Sequence, residues 1–85
     1  MISFNSDAFE VIISEESLTL YGVENKKVYF FNATGQFIFK KVAEGSSIEE
    51  IVLDFCKNTS FDIDIVRNDF QKTLDYLLRE RIFLQ

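Results

Sequence analysis

Val28-Tyr29-Phe30-Phe31-Asn32-Ala33-Thr34-Gly35-Gln36-Phe37-Ile38-Phe39 is the stretch that decides how this chain folds. Its first four residues are β-branched or aromatic, types that favour a pleated, half-buried strand. Asn32 stops the run and is a strong helix N-cap, with Thr34 as the competing choice. Beyond it, Ile38, Phe39, Val42 and Ala43 fall on one helical stripe. The apolar pattern therefore changes from strand periodicity to helix periodicity at Asn32. A strand-like first third of the chain gives way there to a helical remainder.

Upstream, Phe9, Val11 and Ile13 alternate with Glu10, Ile12 and Ser14. After an interruption at Glu15-Glu16-Ser17, Leu18 and Leu20 alternate with Thr19 and Tyr21. The segment from Gly22 to Lys27 is polar apart from Val23, and Asn25 suits a left-handed turn position. This pattern predicts three short antiparallel strands, the last two forming a hairpin. On the third strand Tyr29 and Phe31 share one face and Val28 and Phe30 the other. One pair must pack on the helices. The other stays exposed unless the first strand or a partner protein covers it.

Downstream, Gly45 suits a left-handed C-terminal cap, and Ser47-Ile48-Glu49-Glu50 reads as a capping box. Ile48, Ile51, Val52, Phe55 and Cys56 then form a regular amphipathic face, which Asn58-Thr59-Ser60 ends. Asp62 or Asp64 caps a third, longer helix whose inward stripe is Val66, Phe70, Leu74 and Leu77, with Thr73 alongside. Ile82-Phe83-Leu84 is an apolar tail expected to pack back on the core. Helices are expected near residues 33–44, 47–58 and 63–80. Ile48, Ile51, Val52, Phe55, Phe70, Leu74 and Leu77 are assigned to the core. Phe37 and Leu53 lie off their stripes and read as exposed apolar residues, candidates for a docking patch. The fold class predicted is α+β, a winged helix-turn-helix-like arrangement with three N-terminal antiparallel strands followed by three helices. Residues 1–85 are read as a single domain.

Composition narrows the function. The chain has 85 residues, 47% of them hydrophobic, with ten Phe, no Pro and three Gly, which suits one small folded domain. The N-terminus lacks the basic and apolar regions of a signal peptide, and no apolar run approaches a membrane span, so a cytoplasmic location is expected. There is no His, the commonest general base and metal ligand, and no calcium-loop pattern, so no catalytic, cofactor or metal residue is assigned. The single Cys56 reads as a small apolar residue on a packed helix face. A formal net charge of −5 argues against nucleic acid, because phosphate binding rests on clustered Lys and Arg.

Specific residues then add a resemblance. Phe31-Asn32-Ala33-Thr34-Gly35-Gln36-Phe37-Ile38-Phe39 resembles the L-N-x-T-[GA]-x-x-I-[WL] segment of the PqqD-like family. Glu44-Gly45 resembles its D/E-G step, and Ser47-Ile48-Glu49-Glu50-Ile51 its S/T-V-E-E-I. Val66-Arg67-Asn68-Asp69-Phe70 resembles V-x-x-D-V, and Leu74-Asp75-Tyr76-Leu77 resembles F-L-x-x-L. The similarity runs from Val28 to Leu84. Arg81 departs from it, standing where the family usually has Gly before its last apolar pair.

The resemblance implies a non-catalytic module that binds the leader segment of a ribosomally synthesised precursor peptide. It implies delivery of that peptide to a radical-SAM enzyme or a leader peptidase, as in lasso-peptide pathways. In such domains the leader adds as a strand to the third β-strand and rests beside the third helix. Carried onto this chain, the leader-binding residues would be Val28, Tyr29, Phe30 and Phe31 on the strand. On the helix they would be Asp69, Lys72, Thr73 and Tyr76, with Asn68, Gln71 and Asp75 as the alternative flank. Strand addition takes affinity from main-chain bonds and specificity from alternate side chains. Four such bonds at a net of about 1 kcal/mol each fall short of the roughly 8 kcal/mol of micromolar binding. Two or three leader hydrophobes, at about 1.5–3 kcal/mol each, must supply the rest and offset the ordering of the peptide.

Three rival classes remain at this level. A winged-helix DNA-binding regulator would set Asp62, Asp64 and Asp69 against phosphate with the wrong sign. A small enzyme would need a nucleophile–base pair or phosphate loop that the chain lacks. A general interaction or dimerisation domain needs neither, since folds do not fix functions.

Overall fold

The computed structural model describes residues Ile2 to Gln85. The strands are β1 (Ser3–Phe4), β2 (Phe9–Ile13), β3 (Leu18–Gly22), β4 (Val28–Phe31) and β5 (Phe83–Leu84). The helices are α1 (Ala33–Ala43), α2 (Ile48–Cys56) and α3 (Ile63–Arg79). Strands β2, β3 and β4 form an antiparallel sheet in that order, and the expected hairpin is the β3–β4 pair. The period change at Asn32 marks the turn from sheet to helices, and its side chain caps α1 by accepting from Gly35 N at 3.0 Å. The capping box at Ser47 is complete, and Asp62 rather than Asp64 caps α3. Gly45 adopts φ +94°, closing α1 as a left-handed cap.

A second, two-stranded sheet was not foreseen. β1 pairs antiparallel with β5, and Asn5 reaches across to the same end of the chain, its amide donating to Arg81 O at 2.9 Å. The cause lies in the tail: Ile82 and Phe83 are fully buried, and β1 supplies their edge partner. Arg81 sits at φ 59°, so the residue standing in a glycine's place does adopt the left-handed conformation that the end of α3 requires. In the β3–β4 turn the left-handed residue is Lys26, at φ 63°, not Asn25. The Asn25 side chain instead accepts from Lys27 N and donates to the Tyr29 hydroxyl.

The core joins the inner sheet face to all three helices: Leu18, Leu20 and Tyr29 meet Ile38, Phe39, Val42, Ile51, Val52, Val66, Phe70, Leu74 and Leu77. Two core assignments need correction. Ile48 and Phe55 are only half-buried at its margin. Phe55 belongs to an aromatic cluster, stacked on Phe61 and edge-on to Phe70, with Phe37 tilted against it. Phe37 is therefore half-buried, whereas Leu53 is exposed as expected. The alternation in β2 also conveys less than it promises. Only Phe9 is buried there, because α1 packs against β3 and β4 while no helix packs against β2. No helix of the described residues is long and apolar enough to cross a membrane.

Candidate functional site

The hydrogen bonding of β4 defines an open edge. Gly22 N donates to Lys27 O at 2.8 Å, so Gly22 and Lys27 form a bonded pair. In an antiparallel ladder bonded and non-bonded pairs alternate. Tyr29 and Phe31 therefore exchange bonds with Leu20 and Leu18. The N–H and C=O of Val28 and Phe30 point the other way, to an edge that no strand among the described residues occupies. Beside this edge lies a groove of about 690 Å³ lined by Phe30, Phe31, Asn32, Thr34, Gly35, Ile38, Asp69, Phe70, Lys72, Thr73 and Tyr76.

Six of the eight residues singled out from the sequence thus surround one hollow: Phe30, Phe31, Asp69, Lys72, Thr73 and Tyr76. The other two take different places. Tyr29 is buried beneath the groove wall, its hydroxyl accepting from Asn25 and donating to Glu80 Oε1 at 2.9 Å. Burial first, and the bond to Glu80 second, push its ionisation above the ordinary tyrosine range. Val28 has its side chain exposed on the outer sheet face and offers the groove side only its main chain. The Asn68 and Gln71 flank of α3 faces α2 instead, lining a separate hollow with Glu49 and Arg67.

Sequence reasoning passed over Asn32, Thr34, Gly35, Ile38 and Phe70 as lining residues. Gly35 carried a signal. A side chain there would bring its Cβ to 2.9 Å from Phe31 Cβ, so glycine lets the first turn of α1 approach β4 and form the groove's end. Past Thr34, Asp69 and Phe70 the groove continues into a more apolar hollow of about 300 Å³ lined by Phe55, Phe61, Ile65 and Val66. Phe61 and Ile65 are both largely exposed, and no periodic stripe marked them.

Tyr76 is held in place rather than merely exposed. Its ring meets Tyr29 edge-on at 6.5 Å, and the Arg79 guanidinium lies 5.6 Å above it. Partial burial, and Glu80 after it, raise the Tyr76 ionisation as well. The groove thus offers apolar floor, aromatic wall, two free main-chain pairs, one carboxylate and one ammonium. Those are the groups that hold an extended peptide by backbone and side chain together.

A winged helix-turn-helix-like domain with an open strand edge beside a helix-walled groove is the class that fold and site define. The family model for "Coenzyme PQQ synthesis protein D (PqqD)" matches residues 11–82, and the chain belongs to that family. Two solved structures share the fold. One, "TbiB1 in Complex with the TbiA(beta) Leader Peptide", is 23% identical with a TM-score of 0.83, over 95% of this chain and 93% of that one. The other, "Lasso peptide synthetase B1 complexed with the leader peptide", is 12% identical with a TM-score of 0.86, over 99% and 98%. No curated protein sequence aligns significantly with the chain.

Proposed function

We propose that this domain binds the leader segment of a ribosomally made precursor peptide as a strand added to β4. It holds the peptide for an enzyme that modifies it or cleaves the leader, either a radical-SAM enzyme or a leader peptidase. The domain binds and presents, and performs no bond chemistry itself. It works in the cytoplasm, where the precursor is made. The observation that carries this reading is the unpaired main chain of Val28 and Phe30 opening onto a groove walled by α3. Membership of the PqqD family supports it, as do two structures of the same fold that hold leader peptides.

The energetics fit. Four edge bonds supply about 4 kcal/mol. The apolar hollows by Phe31 and Phe61 offer room for the anchors that raise this to micromolar affinity. The test is an amide-shift map of the labelled domain titrated with its cognate leader. Shifts are expected at residues 28–32 and along the Asp69–Tyr76 flank. Shifts confined to α2, with residues 28–31 unmoved, would refute strand addition. Shifts at Asn68, Gln71 and Asp75 in place of the Asp69–Tyr76 flank would put the peptide on the α2 side of the helix and count against this groove.

A further inference from the structure

The sheet has a second open edge, at β2. Ser14 N donates to Ser17 O at 3.0 Å, and Val23 N to Ala8 O at 2.9 Å, which fixes the alternation along this strand. Glu10 and Ile12 therefore bond to β3, while the N–H and C=O of Phe9, Val11 and Ile13 point outward. Natural edges are blunted by Lys, Pro, bulges or covering elements. This one has no Lys, Pro, bulge or covering helix, and its one charge is Glu10: its sequence is Phe-Glu-Val-Ile-Ile in unbroken register, and Val11, Ile12 and Ile13 are 36%, 66% and 53% exposed. From Val11 to Ile13 both faces and the edge of the strand are open at once, because no helix of the described residues packs beneath it, while Phe9 alone is buried.

We propose that β2 pairs antiparallel with β2 of a second copy of this chain, centred on Val11, giving a continuous six-stranded sheet. Three features of the strand favour a second copy as the occupant. The outward-pointing residues are Phe9, Val11 and Ile13, so a two-fold axis through Val11 sets each bonding residue opposite a bonding residue: Val11 against Val11, Phe9 against Ile13. On the helix side this joins two exposed apolar pairs, Val11 and Ile13 of each copy. The charges are compatible too, since Glu10 falls opposite Ile12 of the second copy rather than opposite its own kind. The interface is isologous and closes on itself. Both β4 edges lie at the far ends of the joined sheet, so the inference stands independently of the leader reading.

An edge of five residues buries less than the roughly 800 Å² per partner of a standard interface, so the dimer forms at high protein concentration. The chain's charge of −5 repels its copy, and added salt therefore favours pairing. Sedimentation velocity of the full chain, from about 5 µM to about 0.5 mM, brackets the range expected of a small interface. The expected result is a rise from the 9.9 kDa monomer mass towards twice that value, steeper in higher salt. Amide exchange of the same samples should slow at least tenfold with concentration at Phe9, Val11 and Ile13, while Glu10 and Ile12 stay unchanged. Val11→Lys sets two ammonium groups face to face and should abolish both effects. A monomer at every concentration overturns the proposal. So does a dimer that leaves the Phe9, Val11 and Ile13 amides unprotected, or one that survives Val11→Lys. Loss of the dimer on adding leader peptide, with protection moving to Val28 and Phe30, would show that copies pair through β4 and would overturn it as well.

Discussion

The two flanks of α3 are built from similar polar residues and do opposite things with them. Towards α2, the Arg67 guanidinium grips the Glu49 carboxylate with two bonds of 2.8 and 2.7 Å and holds Asp64 with a third, while Gln71 donates to Asp75. Towards β4, Asp69 and Lys72 form no ion pair among the described residues, and Thr73 bonds only back to its own helix at Asp69 O. One flank spends its polar groups on itself. The other leaves them facing a hollow. The division suits the proposed role of the groove flank, because a paired side chain has little left to offer a ligand.

The largest expected effect erases the comparison altogether. Phe70 is buried between the flanks and lines both hollows, so Phe70→Ala should cost about 3–5 kcal/mol in chemical denaturation and remove the groove floor as well. The next pair of variants asks what joins α2 to α3. Phe55→Ala removes a half-buried ring touching Phe37, Phe61 and Phe70 and should cost about 2 kcal/mol, below the range for a fully buried Phe. Arg67→Ala removes an ion pair whose members are 39% and 52% exposed, and solvent screening should leave its effect on stability much smaller than that of Phe55→Ala. If the two costs prove equal, the polar flank matters more to stability than its exposure implies.

On the groove flank the readout changes from stability to binding. Lys72→Glu should weaken leader binding severalfold in a calorimetric titration and leave the melting temperature nearly unchanged, while Arg67→Ala should leave leader binding unchanged. Tyr76→Ala is a less clean probe than its place on a solvated helix face implies, because its ring also packs against Tyr29 and would take stability with it. The smallest effect is a pH dependence. Arg67 holds the Glu49 carboxylate below its ordinary 4.5, and the Ser47 amide does the same for Glu50. Both are depressed on folding, so their contribution is complete above about pH 4.5 and is lost as the pH falls through the lowered values. Acid titration of Arg67→Ala should lack the part due to Glu49 and keep the part due to Glu50.

What could be read from sequence follows how local each cause is. The strand-to-helix switch at Asn32, the Ser47 cap and the α3 stripe each depend on residues within about three turns of one another, and all stand where periodicity sets them. The β1–β5 pair depends on residues about eighty positions apart, and two-residue strands carry no period, so nothing in Ser3-Phe4 announced it. The same limit applies within the site. Asp69, Lys72, Thr73 and Tyr76 could be placed on one flank from helical spacing alone. That Tyr29 turns inward, and that Gly35 lets α1 close the groove, are facts about the distance between β4 and two helices, which spacing along the chain does not encode.

The Tyr29–Tyr76 contact also makes the molecule its own optical probe. The chain has no Trp and three Tyr, and two of those three rings meet at the groove wall, one with its hydroxyl bonded to the Glu80 carboxylate. Two of the three tyrosine chromophores of the unlabelled domain therefore lie at the groove, and the tyrosine part of its near-ultraviolet dichroism reports on that wall. A synthetic peptide carrying one Trp would then act as the sole energy-transfer acceptor, so occupancy can be followed in real time without a dye and without altering a residue of the domain.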